Sequence, residues 1–346
     1  MTAELDADQR AFRDSCGKLA AGLAGHWQLG RGPLEVAPPQ PSAADWSRMA
    51  DAGWFGLHLR EENGGSGADT VYAGLLVTEL GRHAVPAPVL GTLLATEQLQ
   101  AHGAAPRLLS SIADGTVRVA PLLRPDLTGF ADGTDGPNAL AWDCAGADFA
   151  VSVHDGAAHL LAGPAGGIDL TRTVRTPLVG PPASHQRADC RPLSNDERDR
   201  LTAFALAMLT ADLLGTMEAA HAAAVDYART RRQFGAPIGS FPAIQDLAAD
   251  GLVLIEAARS ATWYTTWATD SLSPADALRA ARVAKAFVSR AAVEVCEAAV
   301  QIFGGIGFTW EFPAHVWLRR AHASRRVFGD ENHHESVLAA QAFEVR

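Results

Sequence analysis

Apolar positions recur at three- and four-residue steps through the first third of the chain. Leu5, Phe12, Cys16, Leu19 and Leu23 form one such stripe, the mark of a helix with one face turned to a core. "SAADWSRMADAG" opens on Ser42 with Asp45 three residues later, a capping pattern, and Gly53 offers a left-handed stop. Asp69 is placed to cap a further helix in which Tyr72, Leu75, Leu76, Glu79 and Leu80 share a face, with Gly81 as its end. Pro106 opens a short helix through Ile112. The pattern predicts a helical layer over residues 1–116.

Beyond 117 the period changes, and Gly, Pro and Asp become frequent. "FAVSVHDGAAHLLAG" sets a D-G pair between two runs of small apolar and β-branched residues, a hairpin signal. "VRVAPLL" and "TVRTPLV" read as further strands, which gives a small β domain over 117–191. At Ser194 the helical pattern returns with an S-x-x-E capping box to Glu197. The proline-free run to about Arg231 predicts one helix about 50 Å long. Helices from about Pro242 to Asp270, from Pro274 to Phe303 and from about Glu331 complete a four-helix bundle over 192–346, with "FGGIGFTWEFP" interrupting it. Helices, then strands, then helices make the α+β class, with no internal repeat.

At 346 residues the chain can bury one large core or two moderate ones. With 20% charged residues and no evident apolar run near the ~18 residues of a bilayer span, a soluble protein with no membrane partner is expected. "MTAELDADQRAFRD" lacks the basic-then-apolar order of a secretory signal, which points to the cytoplasm. Cys16, Cys144, Cys190 and Cys296 are far apart without CxxC spacing and read as buried free thiols. A net charge of -10 argues against nucleic acid. Two basic stretches, "ARTRRQ" (228–233) and "LRRAHASRR" (318–326), suit a small anionic ligand or a solvated arginine-rich face.

The blocks with the most chemistry are "YARTRRQFGAPIGSFPAIQDLAAD" (227–250) and "QIFGGIGFTWEFP" (301–313). Arg231 offers a planar charged fork for pyrophosphate oxygens, and Phe234 a flat face for an adenine. Gly235, Gly304, Gly305 and Gly307 let main chain approach a ligand, and Gln301 can donate and accept. Taken alone, the same residues also describe a packed turn with Arg231 solvated. The two blocks carry R-x-x-F-G-x-P-I and Q-x-x-G-G-x-G signatures, and the chain resembles the flavin-dependent acyl-CoA dehydrogenases. "DAGWFGLHLREENGGSGAD" (51–69) is similar to that family's N-terminal turn. "ELGRHAVPAPVLGTLLA" is similar to its actinobacterial branch, which includes steroid side-chain dehydrogenases. The resemblance implies FAD as cofactor, acyl-CoA as substrate, and a neighbouring subunit whose FAD is held by Arg231, Gln233, Phe234, Gln301, Gly304 and Gly305.

Two departures from the family stand out. Its T-E-P-x-x-G-S-D loop is replaced by "PLLRPDLTGFADGTDGPN". Its catalytic glutamate, in an aromatic-E-G-T segment, matches Gly329 after Phe328 in "FGDENHHE" (328–335). The alternative family position for that base, on the long helix, falls at about Ala205 and Leu206. Asp330 and Glu331 are the candidates for a relocated base, which has to come within about 3 Å of its proton. His333, His334 and Glu335 are consecutive and point about 100° apart on a helix, so no metal is expected. A plainer reading has Asp330, Glu331 and Asn332 starting the last helix near its positive dipole end, with surface histidines. The resemblance and its gaps together imply the non-catalytic subunit of an α2β2 acyl-CoA dehydrogenase, whose catalytic α subunit brings loop and base. A homodimeric enzyme using Asp330 or Glu331, and a flavin-free scaffold, are the alternatives.

Overall fold

The structure, a computed structural model, describes residues 5–24, 40–132, 135, 138–152, 158–159, 161–177, 191–310 and 312–344. Five helices come first: α1 (Ala7–Ala24), α2 (Ala43–Asp51), α3 (Thr70–Arg82), α4 (Val89–Ala101) and α5 (Pro106–Ala113). The stripe of α1 is buried at Cys16, Ala20 and Leu23, and Phe12 meets Tyr72 edge-on at 5.3 Å. Ser42 Oγ accepts from the Asp45 amide at 3.1 Å, and Gly53 takes φ 74°, so cap and stop work as their residue types dictate.

Helix α3 departs from expectation at both ends. Asp69 stands at the N-cap, but its side chain makes no capping bond. Asp270, from the end of a later helix, instead accepts from the Thr70 amide and hydroxyl, both at 2.7 Å. Gly81 does not end α3 but lies within it, where a Cβ would collide with the Asp212 carbonyl oxygen; a Cβ on Gly215 would collide with that of Thr78. The two glycines let α3 and the helix carrying Asp212 cross at backbone contact. In α4, ten of thirteen residues are buried; a helix buried all round shows no amphipathic stripe, which is why the periodicity does not single it out.

Among the described residues six strands follow: β1 (Val119–Leu123), β2 (Leu140–Trp142), β3 (Phe149–Val151), β4 (Ala158–His159), β5 (Leu161–Gly166) and β6 (Val174–Pro177). Their order is β4-β3-β1-β2-β6-β5. β1 and β3 run parallel, Ala120 opposite Ala150, and the other pairs are antiparallel. β1 and β6 are the strands expected from "VRVAPLL" and "TVRTPLV". β3 pairs with β4, Ala150 opposite His159, as the hairpin requires; its D-G turn lies outside the described residues. β2 was not anticipated, since three residues are too few to show alternation.

Apart from one short hairpin after the first of them, the remaining described elements are helices: α6 (Asn195–Thr230), α7 (Pro242–Ser271), α8 (Pro274–Phe303), α9 (Ala314–Arg326) and α10 (Glu331–Glu344). The capping box at the head of α6 is formed, the Glu197 amide donating to Ser194 Oγ at 3.3 Å and the Ser194 amide to the Glu197 carboxylate at 2.9 Å. The four expected helices gain a fifth, α9, because its arginines mask an inward face of Ala314, Val316, Ala321 and Arg320 itself. Contrary to the expectation of no such run, α6 and α8 extended to Phe308 reach the length and apolarity of a bilayer span. The apolar window of α6 is 94% buried within the protein, so its apolarity serves the core. Cys16, Cys144 and Cys296 are free and buried; Cys190 lies outside the described residues.

Candidate functional site

The long helix α6 stops at Arg231, whose extended backbone (φ -69°, ψ 128°) turns the chain out of the bundle. Two short strands follow, β7 (Arg232–Gln233) and β8 (Ala236–Pro237), paired Gln233 opposite Ala236. Between them Phe234 and Gly235 have φ 50° and 83°, the double positive φ of a type I′ hairpin. Glycine adopts this freely, whereas a bulky residue there is strained. The Phe234 ring is 96% exposed, and Arg231 and Gln233 are exposed beside it. Tyr227 packs on Phe303 at 4.9 Å and on Phe312 at 5.9 Å, fixing the end of α6 to the end of α8. Both sequence blocks thereby reach one end of the bundle. Gln301 is exposed in the last turn of α8. Gly304 follows at φ 64°, ψ -140°, a region essentially reserved for glycine. A Cβ on Gly304 or Gly305 would meet nothing within 4 Å, so this main chain is bare.

The corner between α9 and α10 faces inward. Phe328 (φ 61°) and Gly329 (φ 89°) form it, with the Phe328 ring edge-on to Phe130 at 4.7 Å. Lys285 Nζ, wholly buried on α8, donates to the carbonyls of Arg325 (2.8 Å) and Gly329 (2.9 Å). Burial pulls this ammonium down to about 7. A Cβ on Gly329 would run into the His333 ring, 2.8 Å from its Cγ. Glu331 is buried and gripped by Arg325, Nε to Oε2 at 2.8 Å. Asp330 pairs with Arg326 at 3.1 Å and caps the His333 amide. Both candidate bases are therefore committed to arginines. His334 is not a surface residue: it is buried, and desolvation pushes its imidazole down to about 3. Ala205 and Leu206 lie fully buried in α6. Among the described residues no group of three or more His, Cys, Asp and Glu is gathered for a metal.

The second basic stretch turns Arg320, Arg325 and Arg326 onto acids of its own chain, Asp212, Glu331 and Asp330. Arg320 is buried and donates to Asp212 Oδ1 through Nη2 (2.6 Å) and Nε (3.1 Å). Arg172, which precedes β6, reaches the same oxygen at 2.8 Å, and Ser324 Oγ donates to Asp212 Oδ2 at 2.7 Å. Burial works against the Asp212 ion, yet the two guanidiniums hold its carboxyl down to about 2. Asp143, at the end of β2, accepts from the Gly91 amide at 2.8 Å and lies 3.9 Å from Arg172. Its burial outweighs these contacts and raises it to about 6. The network ties the sheet to the bundle beside a cavity of about 760 Å³ between β2, β6 and the end of α9.

Residues 6–112 match the acyl-CoA dehydrogenase N-terminal domain and residues 203–343 the C-terminal domain. The acyl-CoA dehydrogenase IpdE2 of Mycobacterium tuberculosis is 34% identical over 289 residues, 82% of this chain and 81% of that protein. The chain belongs to the acyl-CoA dehydrogenase family. Solved structures of the same fold follow nearly its whole course. The ChsE4–ChsE5 complex from Mycobacterium tuberculosis superposes with a TM-score of 0.78 at 19% identity over 99% of both chains. A variant of the Tcur3481–Tcur3483 steroid acyl-CoA dehydrogenase gives 0.76 at 22% identity, over 97% and 98%. Sequence reasoning missed the buried charges of this family member. One signal was available: Asp212 is a lone acid within "LTAFALAMLTADLLGTM", where an ion is tolerated only with partners.

Proposed function

We propose that this chain is the non-catalytic subunit of a cytoplasmic α2β2 acyl-CoA dehydrogenase, completing an FAD site on a catalytic partner of the same fold. The observation that carries the reading is Phe234, an aromatic ring 96% exposed on a turn of positive φ, meeting its own chain edge-on at Phe241 (6.3 Å) and otherwise turned to solvent. Arg231 supplies charge beside it, and at the same end of the bundle Gln301 offers hydrogen bonds while Gly304 and Gly305 leave main chain open to a dinucleotide. These residues fit one end of FAD. The chain's own middle loop offers little to the other: Arg124 is closed onto Asp132 (3.0 Å) and Asp135 (3.8 Å). The guanidinium of Arg172 sits over the Trp142 ring at 5.0 Å. When bound, FAD supplies the hydride acceptor for α,β-dehydrogenation of an acyl thioester.

Proton abstraction belongs to the partner on this reading, because position 329 has no carboxylate and Asp330 and Glu331 are held by arginines. The same fold is known as a two-chain complex in ChsE4–ChsE5, which supports such a division. Expression alone and with a catalytic acyl-CoA dehydrogenase chain, read by visible flavin absorbance and turnover, tests the proposal. Colour and activity are expected only from the pair. Yellow, active protein from this chain alone would overturn it. Within the complex, Phe234→Ala should weaken FAD binding roughly tenfold, the scale of one aromatic contact, while the melting temperature of the isolated chain stays unchanged.

A further inference from the structure

We propose that His58 and Glu97 hold a single proton between them that fastens the turn at 56–68 to α4, and that the turn loosens when the pair loses it. This goes beyond the subunit assignment and does not depend on it. The turn closes on itself through the Ser66, Gly67 and Ala68 amides, which donate to the carbonyls of Gly56 (3.0 Å), Leu59 (2.7 Å) and Leu57 (3.0 Å). Two side chains of α4 reach it. Gln100 Oε1 accepts from the Arg60 amide at 2.9 Å, and Gln100 Nε2 donates to Glu97 Oε2 at 3.3 Å. The same Glu97 oxygen lies 3.6 Å from His58 Nε2.

The other nitrogen of that ring fixes where its protons are. His58 Nδ1 lies 2.9 Å from the Ala68 carbonyl oxygen. A carbonyl has no proton to give, so Nδ1 is the N–H, and the neutral ring carries a lone pair at Nε2. That lone pair faces a carboxylate, two acceptors with nothing between them. One proton, on the imidazole or on the carboxyl, makes the contact attractive, and the two groups titrate as a unit. The ring is held in place by stacking on Phe204 of α6, centroids 4.7 Å apart. Neighbouring cations do not replace the proton, because each is engaged elsewhere: Arg191 with Glu197 (2.9 Å), Arg200 with the Leu272 carbonyl (3.0 Å) and Arg60 with Glu62 (3.6 Å). Burial, with Asp270 at the end of α7 adding to it, raises the Glu97 carboxyl above the ordinary carboxylate range. Both side chains of the pair keep 19% of their surface exposed, and a cavity of about 130 Å³ adjoins Glu97, so the proton exchanges with solvent. Unfolded, the two groups titrate near about 4.3 and 6.5. A proton retained in the folded turn therefore stabilises it near about pH 5, and the effect fades as pH rises toward about 8.

Amide hydrogen exchange of the full-length chain at about pH 5.5 and about pH 8 tests this, read as protection factors so that the intrinsic pH dependence cancels. Protection of the Arg60, Ser66, Gly67 and Ala68 amides is expected to fall about tenfold between the two, the scale of one pKa unit of coupling, while the amides of α8 keep theirs. Glu97→Gln puts an amide N–H where the proton was and should keep protection high at both pH values. His58→Phe retains the stack on Phe204 without the proton and should be low at both. Wild-type protection that does not change with pH, or the same fall in either folded variant, overturns the proposal. Should neither variant fold, nitrogen NMR of wild-type His58 decides: the Nδ1–H tautomer is expected at about pH 8, and the Nε2–H tautomer overturns it.

Discussion

Gly329→Glu is expected to leave the chain unable to abstract a proton and to destabilise it by about 2–5 kcal/mol. Restoring the missing carboxylate by one substitution fails for two geometric reasons. The backbone at 329 has φ 89°, which costs a side-chain-bearing residue about 1–3 kcal/mol. The Cβ direction is also filled by the His333 ring, so the new side chain has to displace an imidazole packed beside buried His334. Gly329→Ala should show most of the loss in urea unfolding, since the collision begins at Cβ. His333→Ala in the same background should return the steric part, a coupling that a double-mutant cycle isolates. Recovered turnover at wild-type stability would show that the corner can still hold a base.

Removing Asp212 should have an effect of similar size. Asp212→Ala leaves Arg172 and Arg320 facing each other in a dry interior, where loss of one member of a buried ion pair costs about 3–5 kcal/mol. A shift of the urea midpoint at neutral pH measures this, and a change within error would mean that water reaches the network. The carboxyl titrates at about 2 in the folded protein, below the ~3.9 of an unfolded chain. Its contribution is therefore complete above about pH 4 and is lost as pH falls toward 2. Asp143 acts in the opposite sense. Raised to about 6, it keeps a proton that the unfolded chain releases, so its contribution declines as pH rises from about 4 to 6. The acid limb of the stability curve should flatten in Asp212→Ala.

These buried groups also mark where the sequence stops being legible. Helices with one apolar stripe, such as α1, and helices with local caps, such as α6, are written within a few residues of themselves. α4 and α9 are harder to read, one because it is apolar all round and the other because its inward face includes an arginine. Gly81 has the signature of a stop although it marks a crossing, since both uses need the same absent side chain. Asp69 lost the cap of α3 to Asp270, 200 residues away, a contact no local pattern contains. The motif residues Arg231, Phe234 and Gln301 were legible because they face outward and their spacing is local. The partners of Asp212 lie 40 to 112 residues from it, so only the fold reveals them.

The chain has two lysines, Lys18 and Lys285. The first is exposed on α1, and the second is sealed beneath the α9–α10 corner with its amine on two carbonyls. An acylating reagent therefore meets one amine freely and the other only when α8 parts from that corner. The protein carries its own two-point clock for local opening, with one amine as the reference and the other as the hand.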